Sequence, residues 1–143
     1  MNNSFGLKVI AVLDVNTLKL FKGDGLKIVE EISQYQLHEK HVHDVQKHET
    51  LRGNKSGLSA FHDPHTSKKD IEYAEAVRES ISYIEDLFTS DNDYRELYIV
   101  ASTKLLGHVR NLLSPNLKKK LVKEINKDLV HLSVKELEKA IFA

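Results

Sequence analysis

The spacing of apolar side chains turns from strand-like to mainly helix-like along this chain, and that change constrains the fold more than any other feature. Up to residue 35 the apolar residues come in short strand-like runs, whereas from Ile71 onward most of them, outside the run Leu97 to Ala101, recur every three or four positions. A period of two builds a sheet, and a spacing of three to four builds one face of a helix. The β-rich run Leu7 to Leu13 is followed by the turn-forming Asp14-Val15-Asn16, and then by Thr17 to Lys22, where Leu18 and Leu20 share a face. Gly23-Asp24-Gly25 offers the positive-φ residues of a tight hairpin. A third strand is expected from Leu26 towards Tyr35, its alternation blurred by Glu30-Glu31. Connections this short force antiparallel neighbours.

The second regime opens on Ser67-Lys68-Lys69-Asp70, which reads as a capping box. Ile71, Ala74, Val77, Ile81, Ile84 and Phe88 then mark the apolar face of a long helix, ended by the polar run Thr89 to Asp93. Leu97 to Ala101 is continuous enough for a strand buried on both faces. Ser102-Thr103 starts a second helix with Leu105, Leu106, Val109, Leu112 and Leu113 inward. Ser114-Pro115 starts a third, lined by Leu117, Leu121, Val122 and Ile125. Asp128 to Leu132 is expected to be a brief strand, and Ser133 to Glu136 a second capping box ahead of a last helix burying Val134, Leu137 and Ile141. The resulting expectation is a single three-layer α/β domain over residues 1–143. Its mixed five-stranded sheet, an antiparallel meander plus parallel strands, is flanked by about four helices. Residues 36–66 have neither period and hold six of the eight histidines, so a long, His-rich loop is expected there.

Composition removes several classes of function. The chain of 143 residues has no Cys, which excludes disulfides, a thiolate nucleophile and a Cys-ligated zinc. No apolar run exceeds five residues (Val9-Ile10-Ala11-Val12-Leu13), far short of the ~20 that span a bilayer. No basic segment followed by an apolar stretch opens the chain, so a cytoplasmic location is expected. Formal net charge is zero, but it is the sum of unlike segments. Residues 67–96 hold four basic and nine acidic residues, and residues 104–127 hold seven basic and one acidic.

The run Leu97 to Arg110, an apolar strand, Ala101, two small residues, Lys104, then Leu106-Gly107, resembles the strand-to-helix signature of the bacterial "protein required for attachment to host cells" family. Glu124-Ile125-Asn126-Lys127-Asp128-Leu129 is similar to its second signature, and Val9 to Phe21 resembles its start. Ser102-Thr103-Lys104 stands where that pattern has Pro-Pro-Arg. The resemblance implies a role in attachment to host cells. It also implies a fold akin to the middle domain of archaeal and eukaryotic peptide-chain release factors, of ribonuclease-H-like architecture. In those factors a loop before the long helix carries Gly-Gly-Gln. The matching stretch here, Arg52 to Ala60, has glycines but no Gly-Gly-Gln, so no peptide-release activity is expected.

What remains is a binding module, not an enzyme, with a protein or the ribosome and tRNA as partner; no small-molecule substrate is evident. Lys104, Arg110, Lys118, Lys119, Lys120 and Lys123, with Arg52 and Lys55 of the loop, offer cationic contacts to phosphates or to another acidic partner. The plainer reading is a solvated helix face, balanced by Glu72, Glu75, Glu79 and Glu85 of the long helix. No aromatic residue interleaves with the lysines, which gives base stacking no support. His38, His41, His43 and His48, beside Asp44 and Glu49, are zinc-type ligands, but no His-Glu-x-x-His fixes a geometry, and solvated loop histidines have the same composition. Protonation of these histidines below neutral pH would add charge to the loop. Asp14 closes the first strand, where a metal-dependent hydrolase would place a carboxylate, with Glu30 or Asp128 as partners. An Asx turn explains the same residue. No Gly-x-Ser-x-Gly elbow or phosphate-binding glycine loop is present.

Overall fold

The computed structural model describes residues 7–37 and 68–142. Five strands, β1 (Leu7–Leu13), β2 (Thr17–Asp24), β3 (Lys27–Gln36), β4 (Tyr94–Ala101) and β5 (Leu121–Asn126), form one sheet in the order β3-β2-β1-β4-β5. β1 to β3 pair antiparallel, and β4 and β5 run parallel to β1. Helices α1 (Lys68–Ser90), α2 (Thr103–Leu112), α3 (Pro115–Lys120) and α4 (Val134–Phe142) complete the described elements. The expected α/β class and mixed five-stranded sheet are therefore observed.

β1 lies at the centre, and its unbroken apolar run follows from burial on both faces. Val9, Ala11 and Leu13 join the core beneath α1 and α2, while Ile10 and Val12 face the smaller core under α4. Leu18 and Leu20 of β2 enter the first core and Phe21 the second. α1 contributes Val77, Ile81, Ile84 and Phe88; α4 contributes Leu137 and Ile141. Ile71 and Val134, expected inside, are exposed, because each precedes the turn at which its helix meets the sheet. The Ser67 cap lies outside the described residues.

Two bulges account for the irregular pattern of β3. Leu20 pairs with Ser33 but Phe21 with Glu31, leaving Ile32 as an extra residue. Lys22 pairs with Glu30 but Gly23 with Ile28, leaving Val29 extra. Each inserted residue reverses which side chains face the core, so strict alternation fails even though the strand is continuous.

The two glycines of the hairpin do different jobs. Among the described residues Gly25 alone has positive φ (64°), at the first of the two loop residues, as a type II′ turn requires. Gly23 instead sits in the ladder, where it makes room for Lys8, the one polar residue in the β1 run. The buried Lys8 Nζ donates to the Gly25 carbonyl at 2.8 Å, lies 4.0 Å from Glu96 and sits over the Tyr98 and Phe142 rings at 5.5 and 5.8 Å. A buried ammonium is tolerated only with such partners.

The C-terminal third departs from expectation. Leu117, Leu121 and Ile125 were expected on a single helix, with a strand at 128–132. Instead α3 stops at Lys120, the chain extends at Leu121 (φ −71°, ψ 116°), and β5 follows at once. Leu97 pairs with Leu121 but Tyr98 with Lys123, so Val122 is bulged out and exposed. The bulge sends Leu121 to one core and Ile125 to the other. A spacing of four thus arises from a bulged strand as readily as from a helix. With the seat beside β4 filled, Asp128 to Leu132 forms a turn closed by Leu132 N–H on the Leu129 carbonyl. Ser114 caps α3 as expected, its Oγ accepting from Leu117 N–H. Ser133 and Glu136 form the reciprocal box that starts α4, at 3.1 and 3.2 Å.

Two outcomes follow from these contacts. A Cβ at position 23 would meet Lys8 Cγ at 2.6 Å. Gly23→Ala should therefore lower unfolding free energy by about 1–3 kcal/mol, measured by urea titration. The amide and hydroxyl of Ser133 hold the Glu136 carboxyl below its ordinary value of 4.5. A depressed folded-state pKa stabilises above the unfolded value and is lost as pH falls through the folded one. The stability gap between wild type and Glu136→Ala should thus narrow as pH drops from 6 to below about 4 in thermal melts.

Candidate functional site

Strand order places the basic segment along one edge of the sheet. β5 is an edge strand, and its six residues span about 20 Å. Lys118 and Lys119 stand at its beginning on the last turn of α3, Lys123 at its middle and Lys127 just past its end, all exposed. Lys104, on the first turn of α2, is brought to the far end of this stripe by the bond from Thr103 Oγ1 to Asn126 Oδ1 at 2.9 Å. Ion pairs with described residues are absent for these five lysines.

Two of the expected cationic residues are already engaged. Arg110 forks onto Glu124 of β5, with Nη2 at 2.6 Å and Nε at 3.1 Å from Oε1. This bond raises the guanidinium pKa further and aligns α2 with the edge strand. Lys120 is half-buried, its Nζ 5.4 Å from the centre of the Phe88 ring at the end of α1. Among the described residues no ion pair joins the acidic helix to these five lysines; its carboxylate Glu85 instead accepts from Ser114 Oγ. Arg52 and Lys55, and the candidate metal ligands His38, His41, His43 and His48, lie outside the described residues.

A second feature arises from the parallel strands. β1, β4 and β5 all end at one edge of the sheet, which is where open α/β sheets receive ligands. A crevice of about 340 Å³ opens there, lined by Asp14, Ser102, Asp128 and Tyr73 with apolar walls from Leu13, Val15 and Leu105. Asp14 follows β1, Ser102 follows β4, and Asp128 lies two residues past β5. Asp14 serves the Asx turn expected of it, Oδ1 accepting from the amides of Asn16 and Thr17 at 2.8 Å each. Ser102 occupies the N-cap position of α2, but its hydroxyl makes no capping bond. Glu30, on exposed β3, is not part of this crevice. Among the described residues no group of three or more metal-ligating side chains converges, so the two aspartates do not form a metal centre by themselves. Tyr73 was not legible as a site residue, since in sequence it is one aromatic on a long helix.

No described helix is long and apolar enough to cross a membrane. Comparison with known proteins adds one relative, "Uncharacterized protein RP470" of Rickettsia prowazekii (strain Madrid E). It is 41% identical over 140 residues, covering 96% of this chain and 93% of the relative. The family model described as "Protein required for attachment to host cells" matches residues 9–141, from the central strand through the last helix. With the match reaching every strand and every described helix, the chain belongs to the family of proteins required for attachment to host cells.

Proposed function

We propose that this protein is a binding module without catalytic chemistry of its own, which contributes to attachment to host cells by holding an anionic partner along the β5 edge. Family membership supplies the attachment role. The observation that supports the contact is the row of exposed lysines, Lys118, Lys119, Lys123, Lys127 and Lys104, with no carboxylate partner among the described residues. Surface lysines that face carboxylates contribute little to anything else, whereas lysines left without them keep their charge for a partner. Fixed by a rigid strand and two helix ends, these ammonium groups would meet a polyanion along about 20 Å without ordering a loop first. The absence of Gly-Gly-Gln and of a catalytic elbow in the sequence supports a role without turnover.

A second reading, contact with ribosomal RNA or tRNA without peptide release, draws on the same lysines. The partner's chemistry separates the two. Binding to immobilised heparin and to bulk tRNA should be measured across a salt series, for wild type, for Lys118→Glu/Lys119→Glu/Lys123→Glu and for a Lys135→Glu control on α4. Four to five contacts predict a log-log salt slope of about −3 to −4. The triple variant should bind at least about tenfold more weakly with a flatter slope, and the control should match wild type. Preference for tRNA at equal salt would favour the translation reading. Equal binding by the triple variant and wild type would refute a role for this edge.

A further inference from the structure

The crevice at the carboxyl ends of β1, β4 and β5 begins where the lysine stripe ends, Ser102 and Asp128 lying close in sequence to Lys104 and Lys127, but its own charged lining is acidic. We infer that it is a binding site for an alkylammonium group, with Asp14 and Asp128 receiving the charged end and Tyr73, Leu13, Val15 and Leu105 enclosing the alkyl chain. Three elements that are remote in sequence converge here, and the volume of this open crevice, about 340 Å³, falls within the range of small-ligand pockets.

Charge decides which end of a ligand enters. The amino end of α2, at Ser102, brings a partial positive charge of about one half. The two carboxylates of the lining outweigh it, and among the described residues no basic side chain lines the crevice. An anion would face both aspartates for the sake of one helix end, so a cation is favoured. Asp14 has Oδ1 committed to two backbone amides, which fixes its orientation and leaves Oδ2 without a donor among the described residues. Asp128 has no hydrogen-bond partner among the described residues, and neither does the Ser102 hydroxyl. A primary ammonium has three donors, which matches these three acceptors. A tyrosine ring beside a cation adds a further attraction. The apolar walls distinguish an alkylammonium from a bare inorganic cation, which would leave them unused.

The same chemistry is carried by a free aliphatic diamine and by a lysine side chain of a second protein. Titration of the whole chain with 1,5-diaminopentane, with Nα-acetyl-lysine methylamide and with 1,5-pentanediol, followed by amide chemical shifts, separates them. Both ammonium probes should shift residues around 14, 73, 102 and 128, with saturation near roughly 10 mM, as expected for a Kd of about 1 mM. The uncharged diol should not. Tighter binding of the diamine identifies a polyamine-type ligand, and equal or tighter binding of the capped lysine identifies a protein side chain. Asp128→Asn should weaken either probe about tenfold. Asp14→Asn should do likewise while keeping the turn, because the asparagine carbonyl accepts from the same two amides. The Lys118/Lys119/Lys123 triple variant should bind both probes as wild type does. Diol binding equal to diamine binding, unaltered affinity in both Asn variants, or no shift with either ammonium probe would each overturn the assignment.

Discussion

The fold depends on β1 being satisfied on all sides at once. Its backbone is shared between β2, antiparallel, and β4, parallel, and its side chains enter two separate cores. A strand in that position tolerates no solvent-facing register, so slippage by one residue would exchange the contents of the two cores. This explains why the run from Val9 to Leu13 is apolar at every position and not at every second one. It also explains the treatment of Lys8. The residue stands where β1 leaves the fully buried zone, and its charge is met by a carbonyl, a carboxylate and two rings drawn from the hairpin, β4 and α4. One lysine thereby ties the N-terminal hairpin to the C-terminal helix.

The mixed direction of the sheet has a chemical consequence. An antiparallel neighbour returns the chain to where it started, so β2 begins at the edge where β1 ends and brings a turn there in place of a carboxyl end. The parallel set β1, β4 and β5 does the opposite, delivering three carboxyl ends side by side. Whatever residues follow those strands become neighbours without being close in sequence. Asp14, Ser102 and Asp128 are such residues, separated by 88 and 26 positions in the chain and lining one crevice. β3 also ends near this edge, its neighbour Leu37 donating to the Asn16 carbonyl at 2.7 Å.

Much of this was legible in the sequence where local chemistry and tertiary demand agree. The meander, the long helix, the Asp14 turn, the Ser114 cap and the Ser133–Glu136 box all rest on contacts within a few residues, and all are present. Legibility fails where one extra residue changes the face. The bulge at Val122 converts a strand into something with the spacing of a helix, and nothing local marks it, because its cause is the pairing with β4. The candidate cationic residues were visible as a composition, but their sorting was not. That Arg110 is held by Glu124 and Lys120 by Phe88, while Lys118, Lys119 and Lys123 stand apart, depends on which elements the sheet brings together. Asp14 and Asp128 were each noticed singly; their convergence with Tyr73 requires the topology.

Lys123 of β5 and the lysines that flank the strand also answer a problem that any open sheet has. An edge strand presents unpaired amides and carbonyls to other chains, and lysine is a common deterrent to strand addition. At the opposite edge β3 carries Glu30 and Glu31, both exposed. Edges of opposite charge would attract one another between copies, and a head-to-tail contact of that kind propagates without closing. The two bulges of β3 counter this, because a strand with extra residues at Val29 and Ile32 offers no continuous ladder to a straight partner. β5 has its own bulge at Val122, so the two edges cannot pair in register over more than a few residues. Backbone geometry at both edges therefore opposes strand pairing between copies, and the lysines that flank β5 oppose it further by their charge.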